Sequence, residues 1–137
     1  QGMSDSDPAA LYSYAASQLN AYDLAYIHTM EPLPGHMLAG KGPRVTPVIR
    51  KIYQGVLMTN GGYDAQTGAA AINNDETDLI AYGVPFLANP DLVTRYRLGA
   101  PLNTPDYDTF YSHGPEGYAD YPTWDETAPQ KMGASSQ

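Results

Sequence analysis

The chain has 137 residues, the length of one ordinary domain, and 42% of them are hydrophobic, as in globular proteins. It carries 15 Asp and Glu residues against 7 Lys and Arg, for a formal net charge of −8, and it has no cysteine. An acidic chain without a basic cluster repels nucleic acid and anionic membranes, and a chain without cysteine forms neither disulfides nor thiolate metal sites.

The N-terminal residues QGMSDSDP are polar and contain no signal-peptide hydrophobic region. No apolar run along the chain reaches the roughly 20 residues of a membrane span. We therefore expect a cytoplasmic protein that contacts no membrane. The first residue is Gln rather than Met, which favours a chain cut or processed from a longer one.

Helix and strand signals alternate along the first two-thirds of the chain. Helices are predicted from Pro8, after an N-cap cluster at Ser6 and Asp7, from Thr46–Pro47 to about 54, from Asp64 to Asn73, and after Asn89–Pro90. Short apolar runs predict strands at 24–28, 56–59 and 78–83. The order α-β-α-β-α-β-α is typical of a parallel α/β fold with right-handed crossovers.

From Gly99 the alternation stops. The segment 99–137 is rich in Pro, Gly, Asp and Tyr, which predicts an irregular, aromatic tail that packs back on a body formed by residues 1–98. Three parallel strands make a weak core, because parallel sheets need both faces and both edges covered. The first part is therefore either a small open sheet or a sector of a larger one.

The stretch LMTNGGYD, residues 57–64, ends a predicted strand in two adjacent glycines. Glycine lets an anion approach backbone amides closely, and such turns before a helix bind phosphate. The alternative is a plain tight turn into the helix capped by Asp64. A second glycine turn in AYGVP, one strand later, favours a phosphate site.

Four blocks of sequence carry a family resemblance: LAYIHTMEP, TNGGYD, DLIAYGVPFLANPDLVTRYRLGAPLN and DTFYSHGPEGYADYP. In this order they resemble the C-terminal part of the old yellow enzyme family of flavin-dependent ene-reductases. The resemblance implies a (β/α)8 TIM barrel that holds FMN at the C-terminal face of its strands. It also implies that NADPH or NADH reduces the flavin, which then reduces an activated C=C bond in a small molecule. The three predicted strands resemble strands 6–8 of that barrel.

The resemblance assigns roles to several residues by their motifs. It implies that FMN is bound by Asn60, Gly61, Gly62, Tyr82, Gly83, Val84 and Phe110, and that Tyr111 faces the nicotinamide or the substrate. Many members have an arginine at the position of Val84, which leaves backbone amides and a helix dipole to hold the phosphate in this chain. For Tyr111 the alternative is a packing role, since the chain has 12 tyrosines; Tyr118 and Tyr121 are interpreted as structural.

Other candidate residues follow from their positions. His36 and Met37 lie in the loop after the first strand, where they would form a lid over a substrate. His28 is interpreted as a hydrogen-bonded core residue, His113 as a surface residue and Glu31 as a loop anchor. The spacing of His, Asp and Glu predicts no metal site, and no residue is a candidate nucleophile.

The family's carbonyl-binding pair and proton donor lie on earlier strands, so no catalytic residue is assigned to this chain. We expect the missing N-terminal part of the barrel to be its partner and the isolated chain to be inactive. Two alternatives are a non-catalytic half-barrel that associates with itself and another (β/α)-barrel protein that binds a phosphate ligand.

Overall fold

The computed structural model describes residues 5–127. The chain divides into two compact units, Gln1–Tyr82 and Gly83–Gln137. The first unit contains helices α1 (Pro8–Leu19), α2 (Thr46–Ile52) and α3 (Ala65–Asn73) and strands β1 (Ile27–Met30), β2 (Leu57–Asn60) and β3 (Leu79–Ile80). The second unit contains helices α4 (Val84–Ala88), α5 (Leu92–Leu98) and α6 (Trp124–Thr127).

The three strands form one parallel sheet in the order β1-β2-β3. Ile27 is in register with Leu57, and Met58 with Leu79. The predicted parallel α/β architecture is confirmed. Within the described part of the chain, β1 has a strand on one side only, so its other edge is open.

The core of the first unit lies between the sheet and helices α1 and α2. It is formed by four buried residues, Ala16, Ile49, Tyr53 and Leu57. Three threonine hydroxyls tie α2 to the two strands, since Thr46 Oγ1 donates to Thr29 Oγ1 and Thr29 Oγ1 to Thr59 Oγ1, each at 3.1 Å. Buried hydroxyls must be paired, so this chain of hydrogen bonds fixes how α2 begins relative to the sheet.

The starts of α1 and α3 agree with the predicted caps. The Asp7 carboxylate accepts a hydrogen bond from the amide of Ala10 at 3.0 Å, and the Asp64 carboxylate accepts one from the amide of Thr67 at 2.7 Å. α3 ends at Asn73, as predicted, and α1 ends at Leu19. The predicted cap of the fourth helix is wrong, because Asn89 ends α4 and Asp91 precedes α5.

Two predicted strands differ from the structure. The apolar run 24–28 does not mark the strand, which spans Ile27–Met30, because hydrogen bonding to β2 and not hydrophobicity sets its limits. The third strand spans only Leu79–Ile80, and Gly83 is the N-cap of an unpredicted helix, α4. Pro85, in the first turn of α4, lacks the amide hydrogen that a strand would use.

The predicted boundary between residues 98 and 99 stays a prediction. The second unit combines the last helices of the predicted body with the described part of the tail. Residues 128–137 of that tail lie outside the described residues.

Candidate functional site

The turn after β2 has an unusual backbone. Gly61 has a φ of +122° and Gly62 a φ of +85°, conformations that L side chains rarely adopt. Within residues 5–127, neither glycine amide donates a hydrogen bond to the chain. Two adjacent amide groups are therefore free to bind an acceptor such as a phosphate oxygen.

The chain itself also approaches these glycines. A Cβ on Gly61 would lie 2.6 Å from the Cα of Pro32, and one on Gly62 would lie 2.9 Å from Cδ2 of His36. The amide of Leu33 donates to the carbonyl of Gly61 at 2.8 Å. The loop after β1 thus crosses the glycine turn, which gives both glycines a packing reason beside any ligand.

This crossing brings one predicted lid residue to the predicted phosphate turn. The His36 ring lies against Gly62, and its Nδ1 accepts a hydrogen bond from the amide of Leu38 at 3.2 Å. Met37 points away into solvent, with 89% of its surface exposed. The roles of His36 and Met37 toward a substrate stay predictions.

Asn60, the last residue of β2, adds a polar group to the same turn. Its side-chain oxygen is buried and accepts no hydrogen bond within the described part of the chain. A buried acceptor without a donor is costly. An unsatisfied acceptor and two free amides at one turn fit a polar ligand that has both donors and acceptors, as FMN has.

The N-terminus of α3 is not available to the same ligand. Asp64 occupies it, since its Oδ1 accepts hydrogen bonds from both the amide and the hydroxyl of Thr67, each at 2.7 Å. Both hydrogen bonds lower the pKa of Asp64, and the one from the Thr67 amide has the larger effect. A phosphate here would be bound by the amides of the turn and not by the dipole of α3.

A second set of contacts fixes the loop after β1. The Glu31 carboxylate accepts hydrogen bonds from the amides of Val45 at 2.6 Å and Thr46 at 2.8 Å, so it caps α2. Arg44 lies 3.5 Å from Glu31 through Nε and donates to the hydroxyl of buried Tyr63 at 3.1 Å. The prediction that Glu31 anchors a loop is confirmed, and Arg44 links that loop to the residue after the glycine turn.

Tyr82 belongs to the first unit and packs on α3. Its hydroxyl donates to the carbonyl of Asp64 at 3.2 Å and occupies the space that a side chain at Gly68 would fill. Gly83 and Val84 belong to the second unit, at the start of α4. The shared FMN site of Gly61 and Gly83 therefore stays a prediction.

The two aromatic candidates of the tail lie in the second unit. The rings of Phe110 and Tyr107 pack with centroids 4.9 Å apart at a tilt of 34°. Tyr111 is 96% exposed, so it has almost no packing role within the described residues. The structure leaves both ligand roles as predictions.

A cavity of about 740 Å³ adjoins the open edge of β1. Its walls come from α1, β1 and the loop that leads to α2. His28 lines it, is exposed and makes no side-chain hydrogen bond within residues 5–127, so the interpretation of His28 as a hydrogen-bonded core residue is wrong for the described part of the chain. His113 is exposed, as predicted.

Within residues 5–127, no group of three or more His, Asp and Glu side chains is arranged to bind a metal ion. No described helix combines the length and apolar composition needed to cross a membrane.

The parallel α/β fold and the glycine turn are consistent with a sector of a (β/α) barrel, and the comparisons with known proteins give the family. Residues 2–103 match the NADH:flavin oxidoreductase / NADH oxidase family, and the chain belongs to this family. It is 43% identical over 128 residues to 12-oxophytodienoate reductase 1 of Oryza sativa subsp. japonica, a match that covers 89% of this chain and 33% of that protein.

Solved structures agree. The old yellow enzyme from Trypanosoma cruzi superposes with a TM-score of 0.82 at 36% identity, over 90% of this chain and 32% of that chain. Morphinone reductase in complex with tetrahydroNAD superposes with a TM-score of 0.78 at 39% identity, over 94% of this chain and 34% of the morphinone reductase chain. The resemblance to the old yellow enzyme family is confirmed, and the chain spans about a third of the length of these relatives.

Sequence reasoning missed the residues that support the turn. Arg44 gave no signal, because a lone arginine in a Pro- and Gly-rich loop is typical of a solvated side chain. Gly68 could have been noticed as a glycine in the middle of an otherwise Ala-rich helix, where it costs about 1 kcal/mol relative to Ala unless a neighbour needs the space. Tyr82 is that neighbour.

Proposed function

We propose that this chain supplies the FMN-phosphate loops and one active-site wall of an FMN-dependent ene-reductase. The observation that carries the proposal is the turn after β2, where two positive-φ glycines present free amides beside a buried, unpaired Asn60 oxygen. Membership of the NADH:flavin oxidoreductase family supports it. In this assignment β1, β2 and β3 are strands 6, 7 and 8 of the barrel, residues 1–98 its sector and 99–137 its tail.

The residues proposed to hold FMN act in two groups. The amides of Gly61 and Gly62 bind phosphate oxygens, with Asn60 beside them, and Tyr82, Gly83 and Val84 form the second loop. Phe110 lies beside the flavin, and Tyr111, His36 and Met37 line the substrate side. When bound, FMN supplies hydride-transfer chemistry from NADPH or NADH to the activated C=C bond of a small molecule.

The rest of the barrel is the proposed partner, in the same particle and in the cytoplasm. The open edge of β1 and the cavity beside it support this, because an unpaired parallel strand presents a ladder of hydrogen-bonding groups to a fourth strand. The carbonyl-binding pair and the proton donor belong to that remainder. The isolated chain is therefore inactive toward enones.

The test is an intact mass measured under native conditions together with an absorbance scan near 450 nm. A yellow particle of about three times the mass of this chain, as relatives of that length imply, supports the proposal. A colourless particle of one or two chain masses contradicts it, and so does turnover of cyclohexenone by the isolated chain.

The open edge of β1 also favours a second candidate, a non-catalytic half-barrel that associates with itself. Two copies would then cover each other's edges. Size-exclusion chromatography with light scattering separates a colourless dimer from a monomer and from a larger flavoprotein.

A further inference from the structure

Among the described residues of the second unit, Arg95 is the most deeply buried charged residue, with 1% of its surface exposed. Its guanidinium Nε donates to Asp91 Oδ1 at 2.8 Å, one helical turn earlier on α5. Its other two nitrogens donate to backbone carbonyls, Nη1 to Pro101 at 2.6 Å and Nη2 to Pro122 at 2.8 Å. One side chain therefore binds two points of the tail that are far apart in sequence.

Asn103 reinforces the same junction. Its side-chain nitrogen donates to the carbonyls of Ala88 at 2.8 Å and Pro122 at 2.9 Å, and its amide donates to Asn89 Oδ1 at 2.7 Å. The Pro122 carbonyl thus accepts from both Arg95 and Asn103. We call the segment 102–121, whose two ends meet at this junction, the aromatic loop.

Beyond Asn103, the hydrogen bonds that the aromatic loop makes within residues 5–127 join its own residues to one another and not to a helix. The Asp106 amide donates to the Tyr121 hydroxyl at 2.8 Å, and Thr109 Oγ1 donates to the Gly117 carbonyl at 3.3 Å. The loop carries Phe110 and Tyr111. Where these rings lie relative to α5 therefore depends on the base of the loop, which Arg95 holds.

We propose that Arg95 is a positioning residue that closes the base of the aromatic loop and so fixes where Phe110 and Tyr111 are presented. That the presented rings face flavin and substrate rests on the function proposed above; the closure itself does not. Arginine suits this role because its planar guanidinium reaches three acceptors in fixed directions, which the single ammonium group of lysine cannot do. A buried cation must be paired in this way, or its desolvation destabilises the fold.

The test is hydrogen–deuterium exchange of the full 137-residue chain, resolved by peptide. Arg95→Lys should raise the exchange of amides in 102–121 by about tenfold or more, since hydrogen bonds to charged groups are worth at least that factor. Amides of β2 and α3 should be unchanged. Emission from Trp124, the only tryptophan, should shift too, because its amide donates to Asp91 Oδ2 at 2.6 Å.

Two further variants make the result specific. Arg97→Lys is the matched control, because Arg97 is exposed on the same helix and makes no hydrogen bond or ion pair within residues 5–127; it should change nothing. Asn103→Ala keeps Arg95, and it should raise the exchange of the same amides in 102–121 by a smaller factor. If Arg95→Lys unfolds the chain, the exchange measured in Asn103→Ala decides whether the proposal holds.

The proposal is overturned if exchange in 102–121 matches the wild type in Arg95→Lys, or, where that variant does not fold, in Asn103→Ala. In the flavoenzyme proposed above, the folded variant should raise the KM for the alkene several-fold and also weaken FMN binding, because the loop presents Tyr111 to the substrate and Phe110 to the flavin. An unchanged KM with a loosened loop would overturn the presenting role of Arg95. A complete absence of FMN binding in the wild type would instead defeat the proposed function and leave the closure of the loop standing.

Discussion

Gly61 and Pro32 lie so close together that a Cβ on the glycine would stand 2.6 Å from the Cα of the proline. The contact is between two loops that follow neighbouring parallel strands, β1 and β2. The glycine turn is thus shaped by its own chain before any ligand binds, which is how a preformed anion site avoids the cost of ordering on binding.

Replacing Gly61 with Ala should destabilise the chain. The positive φ alone costs about 1–3 kcal/mol for a residue with a Cβ, and the contact with Pro32 adds to it. Urea denaturation measures the loss. Gly40→Ala is the matched control, because Gly40 lies in the neighbouring loop, has no positive φ and has open space around its Cβ position. Equal stability of the two variants would contradict the structure of the turn.

Glu31→Gln should weaken the start of α2. The carboxylate accepts hydrogen bonds from the amides of Val45 and Thr46, and loss of a helix cap costs about 0.5–2 kcal/mol. An amide side chain can keep only one of these bonds. Thermal unfolding of this variant is compared with that of Glu116→Gln, a change at an exposed position, which should have the stability of the wild type.

Arg50 joins α2 to the segment before β3. It forms ion pairs with Asp75 and Asp78, the latter at 2.7 Å, and these bonds raise its pKa. Because the pairs are partly exposed, Arg50→Met should cost only about 1 kcal/mol. Lys51→Met removes the same charge from the next residue, which is exposed. If both variants lose equal stability, the cause is net charge and not these pairs.

The free energy of unfolding should fall in acid. The pKa of Asp78 is lowered by two hydrogen bonds, of which the one from the Leu57 amide has the larger effect and the one from Arg50 the smaller. The pKa of Asp91 is lowered chiefly by its hydrogen bond from Arg95. A lowered pKa in the fold means that the unfolded chain binds protons more readily. The stabilisation is complete above about pH 4, the ordinary range of Asp, and is lost as pH falls through the folded pKa.

Denaturation midpoints measured from pH 6 to pH 2 check this dependence. In Asp78→Asn, the denaturation midpoint should fall less steeply as the pH decreases. Asp23→Asn is the control, since Asp23 is exposed and makes no hydrogen bond within the described part of the chain. A decline that is unchanged in Asp78→Asn would show that other groups govern it.

In the flavoenzyme proposed above, Val84→Arg should tighten FMN binding. The change introduces the charge that the family resemblance implies at this position in many members, and a charge-assisted hydrogen bond to phosphate is worth about tenfold or more in Kd. Val93→Arg adds the same charge on α5, where Val93 is 59% exposed, and should leave the Kd unchanged. Titration of the apoprotein with FMN, followed by flavin fluorescence, distinguishes the two.

Local chemistry predicted the starts of α1 and α3, because a side-chain cap acts within three residues of its own position; the start of α4 was missed, and Asn89, the predicted cap of the fourth helix, ends α4 instead. Asp7 and Asp64 both cap as expected. Strand limits were less accurate, since a neighbouring strand decides them. The apolar run that includes Leu24 and Tyr26 looked like a strand, yet both residues are exposed and pairing with β2 begins only at Ile27.

The contacts that Arg95 makes with the tail could not be predicted from the sequence, because they too depend on residues that are not local. Arg95 follows Leu92 at a helical spacing of three, and both are buried, but a charged residue on an apolar face does not by itself indicate what pairs with it. Asp91, one helical turn earlier, is a partner whose spacing the sequence does show, but the other two acceptors are carbonyls of Pro101 and Pro122. Backbone groups are the same at every residue, so no pattern of side chains identifies them.

The open edge of β1 has a kinetic consequence for the chain in a cell. Until another strand pairs with it, its backbone groups are available to any extended segment nearby, including one from another copy. Correct pairing of β1 then competes with chance pairing, which leads to aggregation. If the rest of the barrel is the partner proposed above, the outcome depends on how soon after synthesis its strand arrives, so the timing of assembly affects yield as well as the final stability.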